Sequence, residues 1–139
     1  MKNSPNPYDS DFYKWTKNQA NFLKQKEFSK LDINHLIEEI ESLGRSEKRA
    51  IESYLANLIL HLLKIKYQPG KHTKSWDLSV TNSKYHIDKL LKNNPSLKRY
   101  LPEILKDAYF TARLNAIDET GLEDKLFPQD CEWTLKEIL

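Results

Sequence analysis

The feature that most constrains the fold is a long run of helical periodicity between Asp32 and Lys66. Its side chains recur at the 3.6-residue period of an α-helix, and the phase continues through Gly44. The residues on this line are Leu36, Ile40, Leu43, Glu47, Ile51, Tyr54, Leu58, His61 and Ile65. The pattern predicts one long, largely buried helix. A bend or break at Gly44 is the alternative, because Ser46 could cap a second helix.

The rest of the chain predicts further helices around this one. From Leu55 to Leu63 apolar residues cover the whole circumference, which predicts the centre of a bundle. Only three glycines occur in 139 residues, which favours helices over strands joined by tight turns. Three more periodic runs are marked at their starts by Asp9 or Ser10, by Ser75 and by Pro102. The predicted fold class is all-α, a bundle of about four main helices around one long central helix.

The length fits a single domain over residues 1–139, with residues 1–8 as a flexible N-terminus. Cys131 is the only cysteine, which excludes an internal disulfide and a cysteine-rich zinc site. No apolar run approaches the roughly 20 residues of a membrane helix, and the N-terminal residues lack the apolar core of a signal peptide. The expectation is a cytoplasmic protein with no membrane partner.

The middle of the chain is basic and predicts a possible anion site. Residues 64–106 carry ten basic and three acidic side chains, although the net charge is only +2. The candidate anion-binding residues are Lys64, Lys66, Lys71, His72 and Lys74, with Trp76 beside them. Lysines interleaved with aromatics can bind phosphates and stack on bases, so a nucleic-acid-associated helper is one hypothesis. The alternative, which we weight more, is a solvated loop with Trp76 packed in the core.

An acidic cluster early in the long helix predicts either a charged surface or a metal site. His35, Glu38 and Glu39 stand at spacings that bring their side chains within reach of one another. Glu38, Glu41 and Arg45 point away from the apolar line, with Glu41 and Arg45 at the favourable spacing of four residues. A solvated, ion-paired face is the preferred interpretation. A metal-dependent hydrolase is the less favoured one, and no metal or cofactor is expected.

Glu47 and His61 are the polar residues that interrupt the apolar line. A buried carboxylate or imidazole needs a partner, so each is predicted to meet a side chain from another helix. Arg113 on the fourth helix and Tyr54 are the candidate partners. Glu47 and His61 stand roughly 21 Å apart along a helix and cannot form one catalytic pair. A satisfied core histidine is the preferred interpretation of His61.

Catalytic signatures are absent from the sequence. It has no glycine-rich phosphate loop, no Gly-x-Ser-x-Gly and no His-Glu-x-x-His. Cys131 has no evident activating histidine, so a packed thiol is predicted in place of a nucleophile. The function therefore cannot be read from a motif, and the prediction is a non-catalytic accessory or protein-interaction module that binds a protein partner or itself.

Several short segments, taken jointly and in order, resemble a family of unknown activity, the domain of unknown function numbered twenty-nine. The resemblance runs from Tyr8 to the C-terminus. Its carriers are Tyr8-Asp9-x-Asp11-Phe12-Tyr13-x-Trp15, Leu36-Ile37-Glu38-Glu39-Ile40-Glu41-Ser42-Leu43-Gly44-Arg45-Ser46, His61-Leu62-Leu63-Lys64, Tyr67-Gln68-Pro69, Ser75-Trp76, Pro95-Ser96-Leu97, Glu119-Thr120-Gly121-Leu122, Phe127-Pro128 and Cys131-x-Trp133-Thr134. The resemblance implies a small bacterial helical bundle and supplies no activity, cofactor or catalytic residue. The sequence departs from the pattern at Ile65, where an aromatic residue is expected, and this weakens a stacking surface there.

Overall fold

The fold is all-α in a computed structural model that describes residues 6–139. Within those residues there are five α-helices and no strands. The helices are α1 (Phe12–Lys24), α2 (Ile33–Tyr67), α3 (Lys74–Asn93), α4 (Leu101–Thr120) and α5 (Leu135–Ile138), and short 3₁₀ turns lie between them. The predicted bundle of four main helices with one long helix is confirmed. None of the helices described has both the length and the apolar character that crossing a membrane requires.

Contacts along the chain divide it into two compact units, Met1–Arg45 and Ser46–Leu139. We call them the first and the second unit and describe each by itself. The single domain inferred from length stays a prediction. Of the segment 1–8 that was predicted to be flexible, residues 1–5 lie outside the described residues, whereas Asn6 and Tyr8 make the side-chain contacts given below.

Helix α2 is continuous from Ile33 to Tyr67, so the predicted single long helix is confirmed and the alternative, a break at Gly44, does not occur. Asp32 caps it, because its carbonyl accepts from the Leu36 amide at 2.9 Å and its carboxylate lies 3.4 Å from the His35 amide. The prediction of a largely buried helix is wrong for the first half. Every buried residue of α2 lies between Ile51 and Leu63.

The core of the second unit forms around the apolar second half of α2. Ile51, Leu55, Leu58, Ile59 and Leu63 each have 0% of their surface exposed. Side chains of the later elements surround them, namely Ile87 of α3, Ile104, Ala108, Tyr109, Ala112 and Ala116 of α4, Phe127, and Ile138 of α5. A helix that is apolar on all sides is stable only when it is covered on all sides, and the prediction for residues 55–63 is confirmed.

The ends of the other helices follow elementary capping chemistry, with some shifts from the predicted caps. Asp11, and not Asp9 or Ser10, caps α1 by accepting from the Lys14 amide at 3.1 Å. Thr73 stands at the N-cap of α3 in place of Ser75. Gly121 ends α4 with φ 69°, a left-handed conformation that only glycine adopts without strain. Thr134 caps α5.

Candidate functional site

The first unit exposes a line of large aliphatic side chains on α2, which we call the α2 face. It consists of Ile33, Ile37, Ile40 and Leu43, whose surfaces are 53%, 51%, 65% and 68% exposed. The spacing of four, three and three residues keeps them on one side of the helix. The apolar line identified from sequence contains Ile40 and Leu43 of this face but not Ile33 or Ile37, and the prediction that the fold would bury that line is wrong at Ile40 and Leu43. In the described residues of the first unit only Trp15 and Gln19 are buried.

Three charged side chains lie on the side of α2 that points away from the α2 face. Glu38, Glu41 and Arg45 are all exposed, as the preferred interpretation of this segment predicts. Within residues 6–139 no ion pair within 4 Å involves any of the three, although Glu41 and Arg45 stand four residues apart. Glu38 and Glu41 precede Arg45 along this side of the helix.

A polar network at Asp32 holds α1 against the start of α2. Asn6 Nδ2 and Trp15 Nε1 donate to Asp32 Oδ2 at 2.6 and 3.0 Å, and His35 Nδ1 lies 2.7 Å from the same oxygen. The Asp32 amide donates to Gln19 Oε1 at 2.8 Å. The Asp32 carboxylate thus interacts with three side-chain nitrogen groups. The Asp32 backbone carbonyl accepts the first hydrogen bond of α2. This network fixes the helix whose outer side is the α2 face.

Tyr8 completes this arrangement from the other side of His35. Its ring stacks on the His35 ring and meets the Trp15 ring edge-on, with centroids 4.9 Å apart in the second contact. The Tyr8 hydroxyl donates a hydrogen bond to Glu39 Oε1. Glu39, one of the acidic candidates, is therefore held by the aromatic cluster, whereas Glu38 and Glu41 face solvent. Sequence reasoning did not single out Tyr8, Asp32 or Trp15 as members of a cluster.

The hydrogen bonds of this cluster change the pKa values of Asp32, His35 and Tyr8. Burial of the Asp32 carboxylate opposes its charge, but hydrogen bonds from Asn6, His35 and Trp15 outweigh burial and lower its pKa to about 2. The hydrogen bond to Asp32 raises the pKa of His35. The hydrogen bond to Glu39 is the largest cause that raises the pKa of Tyr8 to about 12. Asp32 and His35 therefore attract each other as an ion pair in mildly acidic solution.

The metal-site hypothesis required His35, Glu38 and Glu39 to converge. His35 instead pairs with Asp32, and Glu39 accepts from Tyr8. Across the described part of the chain no three His, Cys, Asp or Glu side chains come together in a geometry that could hold a metal ion. These residues act as parts of the packing of α1 on α2.

Three of the five candidate anion-binding side chains are already paired with carboxylates inside the second unit. Lys64 Nζ lies 2.9 Å from Glu119 Oε1 and 4.8 Å from the centre of the Trp76 ring. Lys66 makes an ion pair with Glu132 that raises the pKa of the lysine. His72 Nε2 lies 2.6 Å from Asp77 Oδ1, and its ring stacks on Trp76 with centroids 6.1 Å apart. Of the five candidate cations, Lys71 and Lys74 have no ion pair in the described residues.

The polar residues on the apolar line of α2 do not meet Arg113, so this prediction is wrong. Glu47 is exposed and accepts from Asn94 Nδ2 at 3.1 Å. His61 is half-buried, and its Nδ1 lies 2.8 Å from the Asn57 carbonyl oxygen one turn earlier in the same helix. His61 is thus satisfied within its own helix, whereas Glu47 is satisfied by a side chain that follows α3.

Arg113 instead fastens the C-terminal segment to α4. Its Nε donates to the carbonyl oxygens of Phe127 and Pro128 at 3.2 and 3.1 Å, and its Nη2 donates to that of Asp124 at 2.9 Å. The Tyr109 hydroxyl donates to the same Pro128 oxygen at 2.5 Å. A sequence pattern does not indicate hydrogen bonds to backbone oxygens. For this reason the sequence suggested Glu47 or His61 as the partner of Arg113.

A cavity of about 410 Å³ lies between α4 and this C-terminal segment, a size in the range of small-molecule sites. Its lining includes Leu105, Tyr109, Phe110, Arg113 and Cys131. Burial raises the pKa of the Cys131 thiol, and burial also raises that of Tyr109 to about 12. Acidic and basic groups both occur at its rim, so its charge selects no class of ligand. The packed, unactivated thiol agrees with the interpretation from sequence.

Comparison with known proteins identifies the family of the chain. Residues 7–139 match the family described as Domain of unknown function DUF29. The protein belongs to the DUF29 family. No curated protein and no solved structure matches the chain. The family resemblance seen in the sequence is thereby confirmed over nearly the whole chain.

Two of the segments that carry the DUF29 resemblance meet in the first unit. The segment 8–15 supplies Tyr8 and Trp15, and the segment 36–46 supplies Glu39 together with most of the α2 face. The contact of Tyr8 with Glu39 joins them. In this DUF29 protein the candidate functional site is therefore the α2 face and the network that supports it.

Proposed function

We propose that this DUF29 protein is a non-catalytic interaction module that binds another protein chain through the α2 face. The observation that supports the proposal is the exposed line of Ile33, Ile37, Ile40 and Leu43. Removing apolar surface from water contributes roughly 25 cal/mol per Å², so a partner that covers such a line gains affinity from it. Contiguous apolar surface of this kind marks binding sites in soluble proteins.

The distribution of exposed apolar residues supports the same location. Eight of the fifteen large hydrophobic residues that are exposed belong to the first unit, although this unit holds fewer than a third of the described residues. The second unit buries its apolar residues in a continuous core. An interaction surface is therefore better supported on the first unit than on the second.

The other functions considered have less support. A nucleic-acid helper would use Lys64, Lys66 and His72, which the ion pairs with Glu119, Glu132 and Asp77 partly neutralise. A metal-dependent hydrolase would need His35 and Glu39, which are engaged with Asp32 and Tyr8. We include a location in the bacterial cytoplasm in the proposal, since a free thiol such as that of Cys131 suits a reducing compartment.

Site-specific photo-crosslinking in the native host tests the proposal. A benzophenone amino acid at position 40 should crosslink to a protein, and the same group at Leu78, which is 57% exposed on α3, should not. The crosslink should disappear when Ile37→Glu is added, because a charge on the same face opposes apolar contact. No crosslink from position 33, 37 or 40 would contradict the proposed function.

A further inference from the structure

We propose that the cavity between α4 and residues 129–131 binds a small, mainly apolar molecule that carries a carbonyl or carboxylate oxygen. This site lies wholly within the second unit, so the proposal does not rest on the α2 face and adds a second binding activity. Three observations support it, namely the volume of the cavity, two apolar side chains of α4 that are exposed there, and hydrogen-bond donors of Arg113 that the fold leaves unused.

An apolar wall on α4 lines the cavity. Phe110 and Leu114 are 67% and 49% exposed, and they stand one turn apart on the same side of the helix. They are the large hydrophobic side chains of α4 that the core leaves exposed, whereas Ile104 and Tyr109 are buried. A ligand in the cavity removes both from water, which favours binding. The Phe110 ring can also stack on an aromatic ligand.

Arg113, which lines the same cavity, has donors that the protein does not use. Its Nε and Nη2 donate to the carbonyl oxygens of residues 124, 127 and 128, so the half-buried guanidinium is held in place. Within residues 6–139 its Nη1 donates to no protein atom, and no carboxylate lies within 4 Å of the group. A guanidinium has donors only, so the unused N–H groups require an oxygen acceptor. Donors that are fixed in advance bind such an oxygen at low entropic cost.

The lining selects an oxygen acceptor and not a net charge. Lys106, Asp107 and Asp130 all line the cavity, so basic and acidic groups oppose each other there. An amide and a carboxylate of the same shape should therefore bind with similar affinity, because each presents an oxygen to Arg113. An ammonium of that shape has donors only and should bind more weakly. A volume of about 410 Å³, near the lower end of the range of small-molecule sites, suits one aromatic ring with a short chain.

Cys131 reports whether the cavity is occupied, because it is the only cysteine of the chain, is half-buried and lines the cavity. The experiment measures the rate at which dithiodipyridine modifies the full chain while phenylpropionamide is added. Protection should be several-fold, with Kd on the order of 1 mM for a ligand of about ten non-hydrogen atoms. Phenylpropionate should bind within about threefold of this value, and phenylpropylammonium about tenfold more weakly. The rate with free glutathione is the control for the reagent and should not change.

A pair of matched variants tests the apolar wall. Phe110→Glu should abolish the protection by phenylpropionamide, because it places a charge in the wall, and its exposed position lets the fold tolerate the change. Leu78→Glu, at a side chain that is 57% exposed on α3 and outside the lining, should leave the protection unchanged. The donor is tested by changing the ligand and not Arg113, because Arg113 also holds the C-terminal segment.

Nuclear Overhauser effects between the phenyl protons and the methyl groups of Leu105 and Leu114 locate the ligand. These effects, together with protection that is lost in Phe110→Glu, would support the proposal. Three results would overturn it: no protection by either oxygen-bearing probe at about 10 mM, protection that survives in Phe110→Glu, or equal protection by the ammonium. Overhauser effects to Ile37 or Ile40 in their place would overturn it as well. None of these results changes the crosslink from position 40, so the function proposed for the α2 face is tested separately.

Discussion

The ring of Tyr8 lies face to face with the ring of His35, with centroids 3.8 Å apart and planes inclined by 16°. This contact joins the segment before α1 to the first turn of α2. Because His35 also pairs with Asp32, the stack lies over the cap of α2. The helix that carries the α2 face is thus supported by an aromatic and polar cluster in a unit with only two buried side chains among its described residues.

The Tyr8 stack should contribute more to the stability of the first unit than the Tyr8 hydroxyl does. Tyr8→Phe loses the bond to Glu39 and should reduce the free energy of unfolding by about 1 kcal/mol or less. Tyr8→Ala loses the contacts with His35 and Trp15 as well and should cost about 1 kcal/mol more. The indole N–H resonance of Trp15 during urea unfolding reports on this unit. Equal effects of the two variants would contradict the role of the stack.

The first unit should be most stable between mildly acidic and neutral pH. The pKa of Asp32 is lowered to about 2, so its stabilising contribution is present above about pH 4 and is lost as the pH falls toward 2. The pKa of His35 is raised, so its contribution is present below its unfolded value near 6.5 and is lost as the pH rises through the folded value. The Trp15 resonance followed against pH should show both losses.

Asp32→Asn is the matched variant for this pH profile. It keeps the size of the side chain and removes the charge, so both the acidic loss of stability and the rise of the His35 pKa should disappear. The His35 pKa is measured from its ring proton shifts. A His35 pKa that is unchanged in Asp32→Asn would show that Asp32 is not its partner.

Replacing leucine by alanine should reduce stability much more in the second half of α2 than in the first. Leu58 is 0% exposed in the second unit and Leu43 is 68% exposed in the first. Leu58→Ala should cost about 2–5 kcal/mol, because it leaves a cavity in a packed core. Leu43→Ala should change stability by about 0.5 kcal/mol or less at a concentration where the chain is monomeric. Chemical unfolding of the two variants measures both values.

The same comparison shows how far sequence could predict this structure. Leu43 and Leu58 stand on one line of one helix, and the periodicity that identified the line was correct at both positions. Periodicity reports which side of a helix is apolar. It does not report whether the chain has another element to cover that side, and the first unit covers little of it.

Contacts between residues far apart in the chain could not be predicted from the sequence. Residue type alone specifies a structure where the partner is near in sequence, as at Gly121, whose φ of 69° ends α4, and at Thr134, which caps α5. The bond from Asn6 to Asp32 spans 26 residues, and that from Arg113 to Phe127 goes to a backbone oxygen. No residue type or spacing specifies such partners in a single sequence.

Arg113 should hold the C-terminal segment against α4. Arg113→Met keeps much of the side-chain length but loses the hydrogen bonds to Asp124, Phe127 and Pro128, and it should cost about 1.5–3 kcal/mol. The segment continues to Cys131, whose half-buried thiol should become more reactive toward a disulfide reagent at pH 8. Arg99→Met, at an exposed arginine, is the control. An unchanged thiol rate in Arg113→Met would contradict this function of Arg113.

The basic segment should bind nucleic acid only weakly. Lys64 and Lys66 are paired with Glu119 and Glu132, so only Lys71 and Lys74 of the four lysines at the candidate anion site remain to contact phosphates. Each phosphate contact adds about 0.7–0.9 to the dependence of log K on log salt, and two contacts give a slope below about 2. Fluorescence anisotropy with single- and double-stranded oligonucleotides at 50–200 mM salt should show Kd weaker than about 100 μM at the upper end.

Two pairs of variants locate any nucleic-acid binding that remains. Lys71→Ala with Lys74→Ala should remove it, because these lysines are exposed and unpaired in the described residues. Glu119→Gln with Glu132→Gln should strengthen it, because both changes release a lysine from its carboxylate. Submicromolar binding by the unaltered chain at 150 mM salt would show that the internal ion pairs open on contact with phosphate. In that event the basic segment, and not the α2 face, would be the principal interaction surface of this DUF29 protein.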